Sequence, residues 1–159
     1  MIFVVVGTQE PFDRLIQYLD EWSSLSGFKD IEAQISKAKY FPGNFPFFDF
    51  IPPAEFDERF NKADLIISHA GMGTIISALQ YSKPIIVMPR LAKYKEHRND
   101  HQLATAISFS KLNYVKTAFN KDELFDALNE RSHLLPAPPI SPFASSDLIN
   151  AVSQFIWKK

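Results

Sequence analysis

The sequence predicts an α/β fold: a Rossmann-like parallel sheet with helices on both faces. Short runs of branched and aromatic residues, such as Ile2 to Val6 and Asp64 to Ser68, alternate with segments of helical periodicity. These runs have continuous apolar cores, which is typical of parallel strands buried on both faces. The chain has 159 residues, of which 46% are hydrophobic, and this is the size and apolar content of one ordinary domain. We therefore expect a single domain over residues 1–159.

The predicted elements alternate as strand and helix along most of the chain. The strands are expected at Ile2 to Val6, Ile31 to Ile35, Phe47 to Ile51, Asp64 to Ser68, Pro84 to Met88 and Tyr114 to Ala118. The helices are expected at Phe12 to Leu25, Ala54 to Asn61, Thr74 to Tyr81, Asn99 to Phe109, Lys121 to Asn129 and Asp147 to Trp157. Asn120 is predicted to cap the fifth helix. The proline-rich stretch Leu134 to Pro142 is predicted to cross the surface as an extended strap.

The composition narrows the class of protein. A formal net charge of −1 argues against a nucleic-acid binder, which usually carries a basic excess. The absence of cysteine excludes disulfides and thiolate metal sites and fits a reducing, cytoplasmic setting. No apolar run approaches the roughly 20 residues that a membrane span needs. The apolar start of the chain has no basic leader, so we expect a first strand there and not a signal peptide.

Three loops carry most of the unusual residues, and each follows a predicted strand. They are Gly7 to Pro11, His69 to Thr74, and Pro89 to Asp100. In open parallel sheets, ligands bind outside the carboxyl ends of the strands. The sequence therefore places a candidate binding site where these three loops meet.

The first two loops are suited to phosphate. Gly7 frees the backbone and Thr8 offers a hydroxyl near the start of a helix, whose amides favour an anion. The alternative is an ordinary turn with a threonine cap. In the second loop, Gly71 and Gly73 allow a ligand to approach the backbone, and Thr74 either binds a phosphate oxygen or caps the helix. The alternative there is a tight turn that needs glycine for packing alone.

The third loop concentrates polar side chains that suit sugar hydroxyls. Asn99, His101 and Gln102 supply hydrogen-bond donors and acceptors at a predicted helix start. Asn99 or Asp100 is equally suited to be the N-cap, with Gln102 completing a capping box. His97 and His101 share a helical face, but the H-E-x-x-H pattern and a third ligand are both missing, so we expect no metal site.

Three motifs together resemble a known family. The segment ISHAGMGTIISALQYSKPIIVMPR, the following EHRNDHQ and the opening VVVGTQEPFDRLI are similar to the C-terminal domain of family 28 glycosyltransferases. The likeness covers the first strand to about residue 110, and it is strongest to the small subunits of two-component UDP-sugar transferases. Those subunits transfer N-acetylglucosamine to a dolichol-linked saccharide, or glucose or galactose in bacterial exopolysaccharide and capsule synthesis.

The resemblance implies one half of a GT-B inverting transferase, with a UDP-sugar as donor and no cofactor. The acceptor half would be a separate, membrane-associated subunit that presents a lipid-linked acceptor and recruits this chain to the cytoplasmic membrane face. The expected donor-binding residues are Gly7, Thr8, His69, Gly71, Gly73, Thr74, Arg90, Asn99, His101 and Gln102. The general base is unknown and usually lies on the other half; the candidates in this chain are Glu10, Asp13 and His69.

One residue departs from the family pattern. Many relatives carry a ribose-binding glutamate at the position of Ser77, and a serine lacks the charge that strengthens such hydrogen bonds. This leaves open a non-catalytic effector that activates a partner transferase. A nucleotide-dependent oxidoreductase is a further alternative, but its glycine fingerprint is broken and the nearest acidic residue is Glu96. The aromatic stretch from Phe45 to Phe50 and the segment from Phe143 to Trp157 are either core or docking surface.

Overall fold

The computed structural model describes residues 1–140 and 143–157 and has a fully parallel six-stranded sheet in that part. The strands are β1 Ile2–Val5, β2 Ile31–Gln34, β3 Phe47–Phe48, β4 Leu65–His69, β5 Ile85–Met88 and β6 Lys116–Thr117. The helices are α1 Asp13–Ser26, α2 Pro53–Lys62, α3 Met72–Gln80, α4 His101–Lys111, α5 Lys121–Asn129 and α6 Ser146–Trp157. Two short 3₁₀ turns lie at Ala92–Tyr94 and Arg131–His133.

The strand order is β3-β2-β1-β4-β5-β6. The order reverses between β1 and β4, which is the doubly wound arrangement in which the crevice beside the reversal binds ligands. Val5 at the end of β1 is level with Gln34 of β2 and Ser68 of β4. The loops that follow these strands therefore leave the same edge of the sheet.

Helices cover both faces of the sheet, as predicted. Ile2 and Val4 of β1 point into a core cluster that includes α1 and α5. Phe3 and Val5 point into a second cluster on the opposite face, which includes α2, α3 and part of α4. This explains why β1 and β5 are apolar at every position and not at alternate ones.

The central strands match the prediction to within a residue, but the two edge strands are shorter. β3 ends at Phe48 and not at Ile51, and β6 spans two residues where five were predicted. Each edge strand pairs with one neighbour only, so its apolar sequence is not held in the ladder along its whole length. The predicted cap of α5 is confirmed: the Asn120 side chain accepts the Glu123 N–H at 2.9 Å.

The segment after the last 3₁₀ turn contains no helix or strand through residue 140, and the final two residues of the predicted strap lie outside the described part. Leu134 packs on the first core cluster, whereas Ala137 and Ile140 pack on the second. The segment thus crosses the end of the sheet from one face to the other.

Helix α6 buries none of its residues. Its exposed apolar side chains are Leu148, Ile149, Val152, Phe155, Ile156 and Trp157. The amphipathic helix predicted there is therefore present, and its apolar side chains lie outside both core clusters. Among the described residues, no helix combines the length and the apolar character that crossing a membrane would require.

Candidate functional site

The three predicted loops meet at the edge of the sheet where the strand order reverses. They surround a polar cleft of about 370 Å³. Its walls come from the loop after β1, the start of α3 and the loop after β5. The lining residues are Val6, Gly7, Thr8, Gln9, Glu10, His69, Gly71, Met72, Gly73, Thr74, Arg90, His97 and Gln102.

A second, mostly apolar cleft of about 380 Å³ adjoins the polar cleft. The two clefts share Gly7, Thr8, Gly73 and Thr74. The remaining lining residues of the apolar cleft are Val5, Gln34, Phe50, Ile51, Pro53, Phe56, Asp57 and Ser77. We call the two adjoining clefts together the trough, and the four residues that they share the ridge.

Helix α3 begins at Met72, two residues before the predicted start. Gly71 is its N-cap residue and no side chain caps the helix. Gly73 and Thr74 thus lie in the first turn, where backbone amides have no acceptor inside the helix. Thr74 does not act as the predicted alternative N-cap, because it is already helical. Gly73 and Thr74 line both clefts, and an uncapped helix start of this kind favours an anion.

The two glycines of this turn are required for different reasons. A Cβ on Gly71 would overlap the His69 ring at Nε2, so glycine is needed there for packing inside the chain. A Cβ on Gly73 would have no atom within 4 Å. Packing inside the chain does not account for a glycine at that helical position, where alanine favours the helix by about 1 kcal/mol. Gly73 keeps space open at the ridge.

His69 is held neutral by its surroundings. Its Nδ1 lies 3.4 Å from the Val5 carbonyl oxygen, and its ring also packs against Gly7, whose φ is 83°. Burial, together with the positive charge of Arg90, lowers the pKa of His69 to about 4. A neutral ring that donates Nδ1–H to Val5 presents an unprotonated Nε2 toward the turn at Gly71.

Arg90 makes its side-chain hydrogen bonds to the loop after β1. Its side chain is almost fully buried, with 4% of the residue exposed. Nη2 donates to the carbonyl oxygens of Val6 at 2.7 Å and Glu10 at 2.6 Å, and Nε donates to that of Pro11 at 3.3 Å. Burial lowers the pKa of Arg90 to about 10, opposed by the carboxylates of Glu10 and Glu96, so the guanidinium stays charged at neutral pH. Arg90 lines the polar cleft, and its N–H groups hold the loop after β1 in place as a wall of that cleft.

A second arginine, Arg14, connects helix α1 to the loop after β5. Arg14, in the first turn of α1, forms a bidentate ion pair with Glu96, with N···O distances of 2.6 and 2.8 Å. It also donates to the Pro89 carbonyl at 3.0 Å. Glu96 in turn accepts the Leu91 N–H at 2.9 Å. Arg90 binds the loop after β1, and Arg14 binds the loop after β5, so the two loops are held together by two arginines. Glu96, the acidic residue considered for an oxidoreductase, is occupied by these bonds.

The polar residues at the start of α4 do not all reach the cleft. Helix α4 begins at His101 and not at Asn99, and Asp100 at the N-cap position accepts the Ala92 N–H instead of capping the helix. The predicted capping box is wrong, because Gln102 Oε1 accepts the Arg90 N–H at 3.1 Å. Gln102 lines the polar cleft, whereas Asn99 and His101 are exposed and line neither cleft.

The three candidate bases have different surroundings. Asp13 accepts the backbone N–H groups of Lys39 and Tyr40 and lines a neighbouring cavity that shares Glu10 and His97 with the polar cleft. Glu10 is half-exposed, lines the polar cleft, and lies 3.6 Å from Nδ1 of His97. His69 is a weak base because its pKa is lowered to about 4. Glu10 is therefore the candidate with an accessible carboxylate in the polar cleft.

Sequence reasoning missed several lining residues. His97 was considered only for metal binding, and Gln34, Phe56 and Asp57 were assigned to a strand and a helix with no further role. No group of three or more His, Cys, Asp or Glu side chains within residues 1–140 and 143–157 is arranged to hold a metal ion. Phe45 belongs to the core, whereas Phe50 is exposed at the apolar cleft, so the aromatic stretch serves both purposes.

These features define a Rossmann-type domain with a candidate ligand site at the switch point of its sheet. Residues 1–133 match the glycosyltransferase family 28 C-terminal domain, and the chain belongs to that family. This confirms the resemblance noted in the sequence motifs.

Curated relatives include UDP-N-acetylglucosamine transferase subunit ALG13 from three organisms. The human protein is 32% identical over 115 residues, which is 66% of this chain and 10% of that protein. The Candida albicans protein is 47% identical over 53 residues, 33% of this chain and 17% of that protein. The Eremothecium gossypii protein is 34% identical over 95 residues, 58% of this chain and 45% of that protein. The chain thus spans less than half the length of each relative.

Solved structures confirm the fold. The solution NMR structure of ALG13 superposes with a TM-score of 0.60 at 21% identity, covering 95% of this chain and 93% of that one. The crystal structure of MurG from Acinetobacter baumannii gives a TM-score of 0.54 at 18% identity, covering 99% of this chain but 49% of that one. The described fold therefore corresponds to nearly all of the ALG13 structure and to about half of the MurG structure.

Proposed function

We propose that this chain is the donor-binding half of a two-component inverting glycosyltransferase. It binds a UDP-sugar and transfers a hexose or N-acetylhexosamine to a lipid-linked saccharide, in polysaccharide or glycolipid synthesis, without a metal or other cofactor. The observation that carries the proposal is the trough whose two clefts meet at Gly73 and the uncapped start of α3.

The trough matches the three chemical parts of such a donor. A diphosphate fits the ridge, where first-turn amides and the Thr8 and Thr74 hydroxyls supply donors. A nucleoside fits the apolar cleft, where Phe50, Ile51 and Phe56 offer surfaces for a flat base. A sugar fits the polar cleft beside Glu10, His97 and Gln102. The family membership and the transferase named in the curated relatives agree with this assignment.

The proposed transfer reaction depends on the amides and hydroxyls of the ridge, which would stabilise the leaving group. When the bond from the anomeric carbon to the phosphate oxygen breaks, negative charge develops on the UDP leaving group. Amides fixed at a helix start stabilise that charge without reorganising. Arg90 adds a buried positive charge nearby and keeps the loop after β1 in place. The acceptor hydroxyl must lose a proton to a base. We assign that base to the partner, with Glu10 as the candidate in this chain.

A partner subunit is part of the proposal. The superposition with MurG covers 99% of this chain and 49% of MurG, so this chain matches one half of that structure. The relatives are named as subunits of a transferase. Helix α6 carries an exposed apolar side that suits a docking contact with the acceptor-binding, membrane-associated partner. We infer that this partner brings the chain to the cytoplasmic face of the membrane.

Calorimetric titration with UDP, and with NAD as a control ligand, tests the proposal. We expect UDP to bind and NAD not to bind. Gly73→Leu should abolish UDP binding by filling the ridge. Gly43→Leu should preserve it, since a Cβ at Gly43 would also have no atom within 4 Å and this glycine lies outside both clefts. Failure of UDP to bind the chain, alone or with the partner that copurifies, would favour the effector alternative.

A further inference from the structure

The apolar cleft contains Ser77 where the family resemblance expects a ribose-binding glutamate, yet it is not without a carboxylate. Asp57, in the second turn of α2, lines the same cleft. Helix α2 thus supplies an acidic side chain to a cleft whose α3 wall has none. Asp57 is exposed, so water solvates its carboxylate in the free chain and a ligand in the cleft can replace that water.

The acidic residues of α2 differ in whether they form ion pairs. Glu55 pairs with Arg59 at 3.0 Å and Glu58 pairs with Lys62 at 2.5 Å, each one helical turn away. Asp57 has no ion pair and no hydrogen bond to any described residue. The carboxylate of α2 that lines the cleft is therefore the one that the chain leaves unpaired.

Gln34 provides a second, independent observation. It ends β2, only 3% of it is exposed, and it lines the same cleft. Its Oε1 accepts the Ile51 N–H at 3.1 Å, which fixes the amide in place. Its Nε2 makes no hydrogen bond within residues 1–140 and 143–157. A buried amide that is held by its oxygen and has a free donor is a preorganised ligand contact.

We propose that Asp57 holds the ribose hydroxyls of the nucleoside diphosphate, with the Gln34 amide as the neighbouring donor. Asp57 thereby takes the part that a glutamate at position 77 would play. The inference rests on the proposed donor-binding function. Ribose hydroxyls each donate one hydrogen bond and accept others, so a carboxylate and a fixed amide donor satisfy both capacities. Ser77 leaves room in the cleft for a carboxylate that arrives from α2.

Titration of the chain with UDP, 2′-deoxy-UDP and 3′-deoxy-UDP tests this. For the native chain, we expect removal of at least one hydroxyl to weaken binding about tenfold, the loss of one charge-assisted hydrogen bond. Asp57→Asn should weaken UDP binding by a similar factor and should bind UDP and the deoxy analogues almost equally. Glu58→Gln on the same helix should leave all three affinities unchanged.

A rescue separates a ribose contact from a general effect of charge. Adding Ser77→Glu to Asp57→Asn should restore the preference for UDP over the deoxy analogue. If Asp57→Asn leaves UDP affinity and the deoxy ratio unchanged, or raises the affinity, the inference about Asp57 is overturned while the donor-binding function stands. If the native chain binds no UDP, the donor-binding function itself fails, and the assignment of Asp57 fails with it.

Discussion

The two clefts on either side of Gly73 differ in how their charged side chains are bonded. In the polar cleft, Arg90 donates to three carbonyls of the chain. In the apolar cleft, Asp57 has no hydrogen bond or ion pair to any described residue. The glutamines are alike, since Gln102 and Gln34 each accept one backbone N–H through Oε1. Arg90 therefore holds the wall of its cleft, whereas the exposed carboxylate of Asp57 is open to water and to a ligand.

The largest effect expected from this difference is at Arg90. Arg90→Met removes a buried cation and leaves the carbonyls of Val6, Glu10 and Pro11 without their donors, so we expect a loss of about 3 kcal/mol in the free energy of unfolding. Urea denaturation measures it. Arg98→Met is the control, because Arg98 is exposed and makes no hydrogen bond or ion pair within the described residues.

Arg90→Lys sharpens the same test. A lysine keeps the charge but cannot bridge three carbonyls from one planar group, so its stability should fall between those of the native chain and Arg90→Met. A chain that unfolds at the same urea concentration with methionine as with arginine would show that the bonds at Arg90 do not hold the wall of the polar cleft.

A smaller effect is expected from the paired glycines. Gly71→Ala pushes a Cβ into the His69 ring and should lower the free energy of unfolding by about 2 kcal/mol. Gly73→Ala meets no atom and should leave stability unchanged or raise it by up to about 1 kcal/mol. Thermal denaturation of the two variants side by side measures the contrast. Equal stability of both variants would contradict the distinction between a packing glycine and an open one.

The sequence predicted the fold well where burial is complete. Strands β1 and β5 and the first three residues of β4 are apolar because both faces are covered, and this signal is local and strong. The ends of β3 and β6 were overestimated, because an apolar run at an edge does not reveal that pairing stops on the open side. The convergence of the three loops was predictable for a topological reason: parallel strands end at one edge.

The site was predictable in place but not in detail. Arg90 and Gln102 were recognised as unusual, but their bonds to distant loop atoms depend on tertiary contacts that no local pattern encodes. Asp57 and Gln34 belong to no motif and lie in an ordinary helix and strand, so only the fold brings them beside Ser77. Whether the residues selected from the motifs bind a donor stays a prediction.

The smallest effect expected is the pH dependence that His69 confers. Its pKa is about 4 in the folded chain and 6.5 in the absence of burial, so between these values the unfolded chain binds more protons than the folded chain. The contribution of His69 to stability is complete above pH 6.5 and is lost as the pH falls toward 4. His69→Gln should remove a change on the order of 1 kcal/mol across this window, after allowance for partial exposure. Urea denaturation at pH 7 and pH 4.5 measures the difference for both chains. An identical change in both would mean that His69 titrates normally and that the wall around Gly71 is open to solvent.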